Sequence, residues 1–78
     1  MEEIDTLEIN GKNYGLIDTI SDNKEVYNYF SNLEDANDIQ ILKDRLVNGE
    51  ESFVSLDTED EFNYALTLFF NKHKNDVL

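Results

Sequence analysis

The sequence predicts an α+β fold: a small antiparallel β-sheet of about five strands in a meander, with one C-terminal α-helix packed on one face. Three observations carry this. Asn10-Gly11 sits between alternating apolar residues, which is the pattern of a tight hairpin. Short β-favouring runs recur between polar turn residues, and the chain contains no proline to interrupt a ladder. Finally, Thr58-Glu59-Asp60-Glu61 has the spacing of a capping box and opens a segment of helical periodicity.

Taken in order, Leu7 and Ile9 precede the Asn10-Gly11 turn, and Tyr14 and Leu16 follow it. With Asn10 and Gly11 as the two loop residues, Ile9 faces Lys12 and Leu7 faces Tyr14, so Leu7, Ile9, Tyr14 and Leu16 share one side of the sheet. The second strand continues to about Ile20, and Asp22-Asn23-Lys24 turns the chain into Glu25-Val26-Tyr27-Asn28-Tyr29-Phe30. A three-residue loop there sets Ile20 against Val26 and Leu16 against Phe30. It also puts Asp18 beside Asn28 on the core side, either as a buried polar pair or as a sign that the register is off by one. Ser31 to Asn37 is polar, Asp38 to Lys43 reads as a short strand, Asn48-Gly49-Glu50 as a turn, and Glu51 to Leu56 as the last strand. In the helix, the Thr58 hydroxyl accepts from the Glu61 amide and the Glu61 carboxylate reaches back to the Thr58 amide. Three acids suit its positive end, and Lys72, His73 and Lys74 suit its negative end. Phe62, Ala65, Leu66 and Phe69 form the face toward the sheet, flanked by Tyr64, Leu68 and Phe70.

A chain of 78 residues has room for one hydrophobic core, so residues 1–78 are expected to form a single acidic domain. Its net charge of −12 opposes compaction, but 24 of the 78 residues are Leu, Ile, Val or Phe, which is ample for a folded core. Without cysteine there is no disulfide framework, no thiolate nucleophile and no cysteine-based zinc site. The stretch Met1 to Asp5 is acidic where a signal peptide is basic, and Tyr64 to Phe70 is too short to span a bilayer, so the expected location is cytoplasmic. The acid surplus disfavours direct contact with nucleic acid or an anionic membrane.

Several segments together resemble a known family. These are Gly11-Lys12 leading into Tyr14, Leu16, Asp18 and Ile20; Glu34-Asp35; Asp38-Ile39-Gln40-Ile41-Leu42-Lys43; and Leu56-Asp57 followed by Glu61-Phe62, Ala65-Leu66 and Leu68-Phe69. From about Leu7 to Phe70 the chain resembles the small acidic proteins of low-GC Gram-positive bacteria catalogued as domain of unknown function 1292, to which YrzB-like proteins belong. Two departures are the insertion-like stretch Arg45 to Asn48 and Asn10 in place of an acidic turn residue. The resemblance implies architecture and a bacterial cytoplasmic origin, and carries over no catalytic residue.

The residues themselves offer little catalytic chemistry. His73 lies in a lysine-flanked helix end, where a capping, solvent-facing role is expected. Counted as a calcium loop from Asp35, positions three and five are Asn37 and Ile39, and position six is Gln40 where glycine is needed. Gly11, Gly15 and Gly49 fit no phosphate-binding spacing, and no serine occupies a nucleophile elbow. The expectation is therefore a protein that is not an enzyme and needs no cofactor or metal.

What remains is binding. If the helix covers Val26 and Phe30, alternation leaves Tyr27 and Tyr29 on the opposite face, with Ile17 near them. They are then either ordinary strand residues shielded by neighbours or an exposed strip that docks a protein. A protein-binding module with a partner of unknown identity is the leading reading, and a monomer the starting assumption. The alternative is an acidic nucleic-acid mimic that occupies the basic cleft of a DNA- or RNA-binding protein, with Glu34, Asp35 and Asp38, and Glu59, Asp60 and Glu61, as its acidic stripes. A third reading is an accessory subunit of a larger assembly.

Overall fold

The structure, a computed structural model, describes residues 6–74. The Met1 to Asp5 stretch lies outside them. Five strands follow one another as β1 (Thr6–Ile9), β2 (Lys12–Asp22), β3 (Glu25–Asn32), β4 (Asp35–Val47) and β5 (Glu50–Ser55), and the helix α1 spans Glu59–His73. The sheet order is β1-β2-β3-β4-β5, every pair antiparallel, which is the predicted meander. Strand β1 pairs Leu7 with Tyr14 and Ile9 with Lys12, as the Asn-Gly turn requires.

Three of the connections are tight turns in the left-handed region. Asn10 and Gly11 have φ of 54° and 80°, Asn48 and Gly49 have 54° and 83°, and both pairs are the type I′ geometry that matches strand twist. The third turn corrects the sequence reading. Asn23 and Lys24, at φ of 50° and 70°, form a two-residue loop with Asp22 opposite Glu25, not a three-residue loop. Ile20 consequently faces Tyr27 instead of Val26. The expected pairing of Leu16 with Phe30 nevertheless holds, because a bulge at Ile17 absorbs the extra residue.

That bulge changes which face each half of β2 serves. Asp18 lies opposite Tyr29, not beside Asn28, and so turns to the other side of the sheet from Leu16. The polar pair that forms instead is Thr19 with Asn28, whose side chains are hydrogen bonded at 3.2 Å. Strand β4 is also longer than predicted at both ends. Arg45 to Val47, expected to be insertion-like, belong to the strand and pair with β5, and Asn48 stands in the turn.

Helix α1 begins as its capping box dictates, with the Thr58 hydroxyl accepting from the Glu61 amide at 3.0 Å. The return bond differs from expectation: the Glu61 carboxylate accepts from the Asp57 amide, one residue earlier, at 2.9 Å. Along its length the helix meets three strands in turn. Glu61 reaches Lys43 on β4, Ala65 meets Tyr29 on β3, and Lys72 and His73 reach Asp18 on β2. Tyr27, Tyr29, Ile41 and Ala65 form a buried cluster there, with Ile20, Ile39, Leu56, Phe62, Leu66, Leu68 and Phe69 packed against it.

Tyr27 and Tyr29 therefore do not form an exposed strip; Tyr29 is 0% exposed and Tyr27 is 3%. The reason is chemical fit. Ala65 is small enough for the helix backbone to approach, so the Tyr29 hydroxyl donates to the Ala65 carbonyl at 2.6 Å and Phe69 stacks on its ring with centroids 4.9 Å apart. The Tyr27 hydroxyl donates to Glu61 at 3.1 Å. Both rings are buried without an orphaned oxygen, so tyrosines serve as core residues.

The opposite face carries its own packing. Phe30 is only 1% exposed and Tyr14 is buried, and the Phe53 ring stands edge-on to Phe30 at 5.5 Å. Among the described residues no helix is long and apolar enough to cross a membrane.

Candidate protein-binding surface

The charged groups sort into those used internally and those left at the surface. Lys43 on β4 is 2% exposed, an unusual place for a lysine. Its ammonium lies 3.0 Å from Asp57, 3.0 and 3.1 Å from the Glu61 oxygens and 3.5 Å from Glu25. Glu25 in turn takes a two-pronged pair of hydrogen bonds from Arg45, at 2.5 and 2.8 Å. Burial works against the charge on Lys43, but the hydrogen bonds with Asp57 and Glu61 outweigh it and leave its pKa raised. The Arg45 pair holds Glu25 down at about 2.

A second anchor joins the helix end to the bulged strand. Asp18 accepts from Lys72 at 2.7 Å and lies 2.6 Å from His73 Nε2, with the His73 ring 4.6 Å from that of Phe69. His73 is thus half-buried against Asp18 and Phe69, not solvent-facing as expected. Burial pushes Asp18 up, but the bonds from Lys72, His73 and the Thr19 amide prevail and its pKa is lowered.

These contacts decide the fate of the acidic stripes. In the first, Glu34 and Asp35 are exposed, but Asp38 is drawn inward by the Tyr14 hydroxyl at 2.6 Å and Asn32 at 3.1 Å. In the second, Glu59 and Asp60 are exposed, whereas Glu61 is committed to Lys43, Tyr27 and the Asp57 amide. Each stripe loses a member to the interior. Among the described residues no group of three or more His, Cys, Asp or Glu is placed to hold a metal ion.

The pH dependence of folding follows from the same groups. Glu25, Asp18, Asp38 and Glu61 are all more acidic folded than their ordinary values, Asp38 through the Tyr14 bond and Glu61 through the Asp57 amide. The stability each contributes is complete above the unfolded value and drains away as pH falls through the folded one. Tyr27 and Tyr29 are pushed up to about 12, chiefly by burial. Their contribution is complete below the unfolded value near 10 and is lost as pH rises toward 12. Urea midpoints measured across pH should therefore fall as pH drops below about 5 and again as it rises above about 10. Stability that kept rising below pH 4 would show that the acid pairs do not form.

An open surface lies where the sequence reading did not look. Cross-strand pairing puts Asp44 opposite Phe53 and Leu46 opposite Glu51 on the face that carries Phe30. Val26 belongs to that face by alternation. Phe53 is 48% exposed and Leu46 is 72% exposed. Asp44, Glu51, Ser52 and Phe53 line a depression of about 180 Å³. A second one, of about 290 Å³, adjoins it between Lys24, Val26, Asp44, Arg45, Leu46 and Glu51. Asp44 is fixed in place by the Asn28 amide at 2.7 Å. No protein-family model, curated protein or solved structure matches the chain.

The surface offers an aromatic ring supported from below by a buried one, an aliphatic rim and carboxylates, a combination suited to gripping a side chain. Alternation within Glu50 to Ser55 could have revealed it, since Phe53 lies between Glu51 and Ser55. What was missing was the knowledge that Tyr27 and Tyr29, on the opposite face, are buried.

Proposed function

We propose that this chain is a non-enzymatic protein-binding module that takes a cationic, partly apolar protein surface on the Phe53 face of β4 and β5. The observation that carries the reading is Phe53 itself: a half-exposed ring held edge-on by the buried Phe30, within a depression that also contains Asp44 and Glu51. Pre-positioned aromatics are the residues that dominate interface energies. The net charge of −12 favours a basic partner and speeds its approach. The reading takes α1 as lying across the other face, so that the two sides of the sheet divide stability from recognition. The resemblance to the domain of unknown function 1292 proteins, with the bacterial cytoplasmic setting it implies, belongs to the same proposal.

A Phe53→Ser, Leu46→Ser double variant tests it. Leu46 is exposed and Phe53 half-exposed, so the double variant should keep the circular dichroism of the parent, with the unfolding midpoint lowered modestly by loss of the Phe53–Phe30 contact. Affinity for a partner purified from bacterial lysate should fall at least about tenfold. A folded double variant that retains the partner at full affinity sinks the proposal. Should the partner instead be released by salt, and by neutralising Glu34, Asp35, Glu59 and Asp60 but not by the double variant, nucleic-acid mimicry would be the better reading.

A further inference from the structure

We infer that the free edge of β5 is a strand-addition site for an extended peptide, whose residues beside Phe53 and Val54 are apolar and whose residues beside Glu50 and Glu51 are basic. This rests on the proposed binding role and specifies how the partner is held. Among the described residues, β5 ends the sheet order, with β4 on one side and no strand on the other. The contacts of α1 lead away from it, from β4 at Glu61 to β2 at His73. Natural edges are often blunted by shortness, proline, bulges or charged side chains, lysine especially. Glu50–Ser55 has no proline, bulge or lysine, its charges are confined to Glu50 and Glu51 at one end, and its register with β4 is unbroken over all six residues.

The turn fixes which backbone groups are on offer. In a two-residue hairpin the residues flanking the loop, here Val47 and Glu50, exchange both backbone hydrogen bonds, and the pattern then alternates. Glu50, Ser52 and Val54 therefore bond to β4, whereas the amides and carbonyls of Glu51, Phe53 and Ser55 point to the empty edge. The same rule applied from the Asn23-Lys24 turn pairs Asn28 with Leu42 by hydrogen bonds, and Leu42 is a residue whose backbone must face away from β5, so the two hairpins agree. The outward-bonding residues are also those whose side chains lie on the Phe53 face. A strand added here would extend the ladder and lay alternate side chains beside Phe53 and Glu51.

Charge selects the occupant. Glu50 and Glu51 are exposed at the start of the edge, and Asp57 follows its end. A second copy of this chain would bring another net charge of −12 against the first, so a basic guest is favoured. For an antiparallel guest the matching order is Thr-Val-Val-Thr-Lys-Lys, running from beside Ser55 to beside Glu50.

That capped peptide is the probe. In amide hydrogen exchange followed by NMR, saturating peptide should slow Glu51, Phe53 and Ser55 at least about tenfold and leave Ser52 and Val54 nearly unchanged, since those already bond to β4. A Ser55→Pro variant, which removes one outward donor without touching the β4 ladder, should weaken binding about tenfold, as should N-methylation of the two guest amides beside Phe53 and Glu51. No binding of the parent peptide, uniform protection, or equal binding of the N-methylated peptide overturns strand addition. The Phe53→Ser, Leu46→Ser result judges the docking face separately, because side-chain docking does not depend on the guest's amides.

Discussion

Replacing Phe30 by alanine is expected to remove a large share of the protein's stability at 25 °C. The ring is 1% exposed, between its cross-strand partners Leu16 and Gln40 and against the edge of Phe53. Truncating a buried phenylalanine costs about 3–5 kcal/mol, through lost burial and the cavity left behind. A domain of this size has a total stability on the order of 4–10 kcal/mol. With a urea slope near 1 kcal/mol/M, the midpoint should fall by about 3 M or more. Phe70, which is exposed on the helix, provides the contrast, and its alanine variant should move the midpoint little. A loss of under about 1 kcal/mol for Phe30→Ala would mean that this second cluster is not close-packed.

Substitution of Lys43 by methionine is expected to cost about 2–3 kcal/mol, even though it exchanges a charged residue for an apolar one at a buried site. The lysine is surrounded by Glu61, Asp57 and Glu25, and removing it leaves their charges facing each other across an apolar side chain. The partners keep some contact with water, which is why the figure lies below that for a fully enclosed pair. Because the ammonium joins the start of α1 to β4, its loss should also speed amide exchange in the first helical turn. The decisive comparison is the double variant Lys43→Met, Glu61→Gln. If the damage comes from uncompensated charge, the second change should recover part of the loss, giving a coupling of about 1 kcal/mol or more. Strict additivity would show that the two groups do not interact.

Much of this fold was legible before any coordinates. The Asn-Gly hairpin and the Thr58 cap act through short-range geometry and appear where the residues place them, whereas the alternation of β2 breaks at Ile17 and the Glu61 return bond goes to Asp57. The errors have one origin, in contacts that neighbours along the chain do not specify. Asn23-Lys24 forms a left-handed turn without glycine, so nothing in its composition distinguishes two loop residues from three. The bulge at Ile17 is equally silent in sequence. Together they put Asp18 and Ile20 on the side of the sheet that carries Tyr27 and Tyr29, whose hydroxyls find Glu61 and the Ala65 carbonyl. The candidate surface was hidden for the same reason, since the half-exposure of Phe53 depends on packing that its neighbours along the chain do not specify. The acids of both stripes were visible as acids, but their division into Asp38 and Glu61 inward, Glu34, Asp35, Glu59 and Asp60 outward, depends on partners many residues away.

The bulge at Ile17 also bears on how such a chain can change over generations. A one-residue insertion or deletion in a strand normally inverts every side chain beyond it, which few lineages survive. Here β2 already runs in two phases, with Leu16 counted for one face and Asp18 for the other, and the residue between them is exposed and bonded to neither count. A length change at either flanking turn can therefore be absorbed by moving or removing the kink, without inverting the half of the strand that holds the helix. The irregularity makes this strand tolerant of indels, and the sheet can gain or lose a residue there while both of its packed faces survive.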